Sequence, residues 1–575
     1  MNKLIKNINW WHALCKDTWP LFLPCLLLAP TLFSGFILDD YFHHAIMHGN
    51  LKPFFVNTNP LTDLFAFLPA DEPSHTMLKE HGLLPWWTPE GLRANFFRPL
   101  TAITHLVDFY LWPHWPFMHH MHNFFWFILA TWGLRRLYQT ANLSSMPLAL
   151  ALLFFLVEDA HVMSVGWIAN RNILVAIFFG CLAIQGFIRW RMNTEHLTWP
   201  LFWPLLWMSM SLLSAEAGLG TFGYILAWSI VYESTLRSKI IAIMPFVALI
   251  IMWRILYMYG GYGTWGTGLY DDPASDFPGF ILMLMQRLPL FILGLWAQIP
   301  TEINILLTSS SLWIVSAFGM LVMTYLYFLF RPLLSQDPRA RFWALGMIFT
   351  LIPFSAALPM NRLLLFAGIG AFALLGLYLN TQINPTRHPL FWIHGPLAIL
   401  LSFGGVVGFK AFKDVGDLPV KTLPSDLSPH DHIIYLSGAT LPAGYTIIKP
   451  ILDGSTYPAR ISVLSPLTRA KTLRRLDEHR LEISAQEPWF QLALETIFRS
   501  PRIAFGNKRI FQGSGFIATI TEADENGAPK TVEFRFEKPL DDPHYRWTCF
   551  KDLTLKTCQI PKVGEHMNLP GLLSW

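Results

Sequence analysis

The chain has 575 residues, of which 53% are hydrophobic, 15% aromatic and only 14% charged, a balance that excludes a chain soluble in water. Its formal net charge of +4 is too small for its length to argue for nucleic acid as a partner. The composition is that of an α-helical polytopic membrane protein, with membrane lipids as its surroundings.

Thr18 through Leu38 is an uncharged apolar run long enough for one helical crossing of a hydrocarbon core about 30 Å thick. Lys3, Lys6 and Lys16 precede it and place the N-terminus in the cytoplasm, and the run lacks the small-residue site of a removable signal peptide. Two carboxylates, Asp39 and Asp40, stand where the run leaves the membrane. Further crossings are expected at 117–136, 146–163, 172–190, 198–214, 217–233, 240–258, 308–330, 342–359, 362–380 and 389–408, about eleven in all with the first. Segments 97–112 and 279–300 read as interfacial helices. The first carries Arg98, His105 and Asp108, and the second carries Gln286, Arg287 and prolines. Counting both as crossings gives the alternative of about thirteen.

The basic groups Arg135 and Arg136, Arg189 and Arg191, Arg237 and Lys239, Arg331, Arg339 and Arg341, and Arg387 follow or join apolar stretches, as cytoplasmic loops require. Acidic residues gather instead in a first outward loop, 39–116, and in a second, 259–305, where Asp271, Asp272 and Asp276 read as a solvated turn. The membrane domain thus spans 1–409.

After Phe409 the charge density becomes that of a soluble protein, so 410–424 reads as a connector and 425–575 as a separate, outward-facing soluble α+β domain. Gly515–Ile520 and Thr531–Phe536 flank Glu525-Asn526-Gly527, the pattern of a β-hairpin, and Pro488 to Arg499 reads as a helix. Of the five cysteines, Cys15, Cys25 and Cys181 fall on the cytoplasmic side or in the bilayer. Cys549 and Cys558 fall in the outward domain and are expected to form a disulfide there, with two free thiols as the alternative.

Several segments recur in the order seen in the GT-C superfamily of polyprenyl-phosphate-sugar-dependent glycosyltransferases. Leu38-Asp39-Asp40 resembles the Asp-Asp pair of their first loop, and Phe97-Arg98-Pro99-Leu100-Thr101 resembles their Tyr-Arg-Pro-Leu-Thr. Leu111-Trp112-Pro113 followed by His119, His122 and Asn123 resembles their Leu-Trp-Gly and His-x-x-Asn run. His161 to Trp167 with Asn170-Arg171 resembles a His-Pro-x-His-x-Glu-x-Val-x-Trp stretch ending in Gly-Arg. Ser214-Ala215-Glu216 stands where Ser-Lys-Glu is usual, and Asn361-Arg362-Leu363-Leu364-Leu365 where Glu-Arg-Leu-Leu-Tyr is usual. The nearest likeness is to the membrane part of the transmembrane and tetratricopeptide-repeat O-mannosyltransferases and their bacterial relatives, although no such repeats follow here. The resemblance implies a GT-C-like fold and an inverting hexosyltransferase that uses a polyprenyl-phosphate-linked sugar donor. It also implies an acceptor (protein, lipid or cell-envelope glycan) on the outer face of a bacterial cytoplasmic membrane, with the C-terminal domain in the periplasm.

A sugar that leaves a polyprenyl phosphate departs as a phosphate, so the enzyme chiefly needs one base for the acceptor hydroxyl and cations for the leaving group. One of Asp39 and Asp40 is expected to be the base. Adjacent side chains on a helix point about 100° apart, so the other is a supporting group or a ligand to a divalent metal, Mg or Mn. Arg98, Arg171, Arg287 and Arg362 are the candidates for the donor phosphate, because a guanidinium offers two parallel donors and keeps its charge; the plainer reading of each is an interface anchor. His44, four residues after Asp40, is expected to share its helix face, and His122, Asn123, His161 and Glu216 are candidate supporting residues. Two other classes remain in view. A transporter or lipid flippase would concentrate ionisable groups at mid-helix, and a non-catalytic glycan-binding membrane scaffold would account for Ala215 and Asn361.

Overall fold

The computed structural model describes residues 22–51, 54, 58–69, 71–192, 199–551 and 554–572. Lys3, Lys6, Lys16, Cys15 and the start of the first expected crossing lie outside the described residues, as does residue 198. Among the described residues, six helices are long and apolar enough to cross a membrane: Ile168–Met192, Leu236–Tyr259, Phe277–Ala297, Ser309–Gln336, Asn361–Asn380 and Pro389–Lys421. Three shorter apolar helices, Pro24–Phe33, Ser145–Val157 and Leu201–Ser214, accompany them. These six do not by themselves make up a count of eleven or thirteen. Pro116–Thr140 is long enough, but it opens on His119, His120, His122 and Asn123 and closes on Arg135 and Arg136.

The helices differ in how much neighbouring protein covers them. The apolar window of Asn361–Asn380 is 89% buried, whereas that of Ser309–Gln336 is 17% buried. The first therefore runs through the middle of the bundle, and the second presents Ile314, Leu321 and Phe328 outward, as a lipid-facing helix does. Close helix contact depends on small residues. A Cβ on Gly376 would stand 2.4 Å from the carbonyl of Pro147, and one on Gly223 would stand 2.8 Å from the backbone nitrogen of Thr350.

The interfacial reading of 279–300 is corrected. Phe277–Ala297 is a continuous apolar helix packed on Ser309–Gln336, and Arg287 is buried against Asp271 and Ser355 instead of lying among headgroups. Polar residues taken as one amphipathic face in fact point into the protein. Segment 97–112 forms a shorter helix, Pro99–Leu111, with Ile103, Val107 and Tyr110 exposed on one side and His105 and Asp108 buried on the other.

Segments 39–116 and 259–305 are joined by a small antiparallel sheet in which Arg93–Asn95 lies between Ala66–Leu68 and Gly263–Trp265. The helix Ala398–Lys421 runs without a break through the change of composition at Phe409, so most of the expected connector is helical. Beyond it stand two sheets. A four-stranded one orders Thr554–Thr557, Tyr545–Lys551, His432–Tyr435 and Arg460–Val463, and the helix Thr440–Asp453 crosses between its last two, parallel strands. A six-stranded antiparallel sheet contains the expected hairpin, Phe516–Ala523 against Pro529–Phe536, with Ile520 facing Val532 and Ala518 facing Phe534. Buried Phe516, Ala518 and Ile520 alternate with outward neighbours, and Gly527 takes the positive φ of the turn.

Two other readings of this domain are corrected. Pro488 to Arg499 is not a helix. Phe490 has φ 66, and only the short 3-10 turn Ala493–Thr496 forms, capped by the Glu495 carboxylate on the N–H groups of Gln491 and Leu492. The Cys549 and Cys558 thiols are not far apart: their side chains meet at hydrogen-bonding distance. Nor is the domain separate: one hydrophobic core joins Phe42, Leu51, Phe65, Trp86 and Trp87 of the first loop to Ile434, Ile461 and Phe534. Each such side chain taken from water contributes about 1.5–3 kcal/mol. Polar ties cross the same boundary, with Trp86 Nε1 donating to Leu464 O at 3.0 Å, Ile461 N to His81 O at 2.9 Å and Arg499 Nη1 to Trp87 O at 2.9 Å.

Candidate active site

Leu38 has φ 43, an uncommon value for a branched residue, and it begins the helix Asp39–Met47. Asp40 secures that turn. Its Oδ2 accepts the Ile37 N–H at 3.0 Å, and its Oδ1 accepts the Ala169 N–H at 2.7 Å, tying the loop to the start of the helix Arg171–Met192. Asp40 is 1% exposed, and burial pushes its carboxyl well above the ordinary range against the pull of those two amides. Both Asp40 oxygens are thus engaged by backbone.

Asp39 differs in every respect. It is half-buried, and its Oδ1 accepts a hydrogen bond from the Tyr445 hydroxyl at 3.4 Å. Burial raises its carboxyl to about 6, opposed by the positive field of Arg362, the Tyr445 hydroxyl and Arg98. A carboxylate poised there can accept a proton near neutral pH.

Three of the four candidate arginines are already neutralised. Arg98 donates to Glu216 through Nε at 2.8 Å and Nη2 at 2.7 Å, between the rings of Phe65 and Phe96, while Tyr257 donates to the other Glu216 oxygen at 3.1 Å. Arg171, fully buried, meets Asp108 at 2.5 Å and donates to Asn123 Oδ1 at 2.6 Å and His119 O at 2.9 Å. His122 Nδ1 completes that group, 2.6 Å from Asp108. Burial would raise the Asp108 carboxyl, but Arg171 and His122 outweigh it and hold the group below the usual carboxylate range. Arg287 is held by Asp271 at 2.6 Å, so Asp271 is not part of a solvated turn.

Arg362 stands apart. Its guanidinium lies 5.3 Å over the Trp167 ring and reaches Asn170 Oδ1 at 3.4 Å, its Nε has no partner, and among the described residues no carboxylate is within ion-pairing distance. It sits in the short turn Asn361–Leu363, just ahead of the central helix Leu364–Asn380.

Two expected supporting residues serve packing. His44 does not orient Asp40; it stacks between Phe36 and Phe109, and burial lowers it to about 4. His161 bonds the Phe155 carbonyl and packs on Phe127 and Phe155.

Sequence reasoning missed the carboxylates Glu158, Asp159 and Glu302, two of which are held by Asn361. Gln298 Nε2 donates to both oxygens of Glu158 at 3.1 Å, Asn361 Nδ2 donates to Asp159 at 3.1 Å, and the Asn361 N–H donates to Glu302 at 2.8 Å. An acid at 361 would crowd a fourth carboxylate into this group, whereas Asn can donate to it. The signal was present in the chain: Glu158-Asp159 is a second acidic pair closing an apolar run, as Asp39-Asp40 closes the first. Among the described residues no three His, Cys, Asp or Glu side chains converge to hold a metal ion. Asp40, expected as base or metal ligand, has a backbone N–H on each of its two oxygens.

No protein-family model and no curated protein sequence matches the chain. Two solved structures similar to it are crystal structures of the Archaeoglobus fulgidus oligosaccharyltransferase. One is the complex with Zn and sulfate, at 10% identity and TM-score 0.38 over 77% of this chain and 62% of that one. The other is tethered through a disulfide bond to an acceptor peptide containing the NVT sequon, at 10% identity and TM-score 0.37 over 79% of this chain and 64% of that one. The alignments therefore span less than two thirds of those chains.

Proposed function

We propose that the chain is a membrane-embedded, inverting glycosyltransferase that moves a sugar from a polyprenyl-phosphate donor to an acceptor hydroxyl at the outer face of the cytoplasmic membrane. The observation that carries this reading is the contrast among four arginines: Arg98, Arg171 and Arg287 each face a carboxylate, and Arg362 has none among the described residues. An uncommitted guanidinium on an aromatic face, whose field reaches a half-buried carboxylate, suits a phosphate that gains charge as its sugar leaves. The ordered motifs at Asp39, Arg98, Arg171 and Arg362 supply the donor class, and the acidic outward loops supply the side of the membrane.

In this reading Asp39 removes the proton of the acceptor hydroxyl. The acceptor oxygen bonds to the anomeric carbon from the face opposite the phosphate, the carbon–oxygen bond to phosphate breaks, and its electron pair leaves with the polyprenyl phosphate held by Arg362. Arg98 and Arg171 act through their neutralised clusters, which fix the helix Pro99–Leu111 and the turn carrying Asp40. The test is transfer by purified full-length protein from a panel of radiolabelled polyprenyl-phosphate sugars, comparing wild type with Asp39→Asn and Asp40→Asn. Loss of transfer in folded Asp39→Asn protein supports the assignment, and undiminished transfer in both variants removes it.

A further inference from the structure

Tyr445 belongs to the outward C-terminal domain, yet its hydroxyl lies 3.4 Å from Asp39 Oδ1, 406 positions away in the chain. Its helix, Thr440–Asp453, packs on both Asp39–Met47 and the end of Ala398–Lys421. Tyr445 is 3% exposed, and its ring meets Tyr41 edge-on with centroids 5.9 Å apart. A second set of contacts locks this approach. Tyr41 donates its hydroxyl to Asp417 at 3.1 Å, and Lys449, one turn along from Tyr445, reaches Asp417 at 3.6 Å while lying 5.0 Å over the Tyr41 ring. Asp39, Asp40 and Tyr41 surround the Tyr445 hydroxyl with negative or neutral oxygens, and burial with these charges keeps it protonated. Its one proton is therefore available to Asp39.

We propose that Tyr445 is a positioning residue for transfer: its hydroxyl fixes the Asp39 carboxylate, so that the C-terminal domain completes the site of its own chain. This rests on the reading of Asp39 given under Proposed function. A hydrogen bond from a rigid phenol selects one orientation of the carboxylate and stabilises its ionised form. Among the described residues, Arg362, Arg98, the neighbouring Asp40 and Tyr445 act on Asp39, and Tyr445 is the one of these that the C-terminal domain supplies.

The test is an infrared titration of the full-length protein in detergent, in which the wild-type minus Asp39→Asn difference isolates the Asp39 carboxyl band and needs no substrate. In Tyr445→Phe the midpoint of that band is expected to rise by about one pH unit, because the ionised form loses a donor. Replacing Tyr445 by a fluorinated tyrosine, whose phenol is more acidic, is expected to move the midpoint down. A purely structural role gives no such opposite pair of shifts. In transfer, Tyr445→Phe is expected to lower kcat about tenfold with donor KM unchanged. A midpoint unmoved by both replacements overturns the proposal, even with Asp39→Asn inactive. If transfer survives Asp39→Asn, it is the reading of Asp39 as base that falls, and this is seen without any change at Tyr445.

Discussion

The guanidinium of Arg171 and the carboxylate of Asp108 meet at 2.5 Å, and neither side chain reaches solvent. One lies at the first turn of Arg171–Met192 and the other in the helix Pro99–Leu111, so the pair joins the first loop to the bundle. Asn123, His119 and Thr104 accept from what remains of the guanidinium. Burying two charges is costly, and removing one leaves the other uncompensated. Asp108→Asn is therefore expected to cost about 3–5 kcal/mol, and Arg171→Met with Asp108→Leu to recover much of that loss. Thermal unfolding in detergent of the single and double variants is the measurement.

Asp39→Asn and Asp40→Asn should fail in different ways. The first removes the proposed base and is expected to lower kcat by about 10²–10⁴-fold at unchanged stability. The second turns an amide N–H₂ toward one of two backbone donors that the carboxylate now serves, at a cost of about 1–3 kcal/mol. Its activity per folded molecule should remain the greater of the two. Single-turnover rates and unfolding midpoints, taken on the same preparations, separate the two outcomes.

The rate of transfer should fall as pH drops through about 6, since Asp39 acts as its anion and burial has raised its carboxyl to about 6. Arg362→Gln removes a positive field that favours the anion, so this acidic limb should move to higher pH, with kcat/KM falling about 10–100-fold. Arg362→Lys keeps the charge but not the planar fork. It should leave the limb in place while raising donor KM. A pH series on the three proteins decides the matter, and an unchanged limb in Arg362→Gln counts against the electrostatic link.

Gly82 marks the seam between the first loop and the C-terminal domain. Its φ of +76 suits glycine, and an added Cβ would stand 1.6 Å from the Ile461 carbonyl oxygen, on the strand that receives the His81 contact. Gly82→Ala should destabilise the protein by about 3 kcal/mol or more, through strain and forced separation of the two surfaces. Limited proteolysis near residues 422–431 should then be faster than in wild type. Equal protease resistance would mean that the seam tolerates displacement.

The sequence by itself determined what depends on local pattern. Uncharged runs such as 308–330 set the membrane class, because a helix in hydrocarbon must be predominantly apolar along its length. The alternation of Phe516, Ala518 and Ile520 set the hairpin, because a strand shows side chains to its two faces in turn. Local pattern also misled. Gln286 and Arg287 read as an interfacial face because the partner that buries Arg287, Asp271, lies in another segment, and Pro488 to Arg499 read as helical although Trp489, Phe490 and Phe498 fill a shared core from irregular backbone. Only the tertiary structure decided which of the four arginines has no carboxylate partner among the described residues, which of Asp39 and Asp40 is engaged by backbone, and that Tyr445 reaches Asp39. Those facts are pairings across 63 positions for Arg171 with Asp108, 118 for Arg98 with Glu216 and 406 for Tyr445 with Asp39. Charge balance and hydrogen bonding are settled between segments that meet only after folding, and no periodicity along the chain records which will meet.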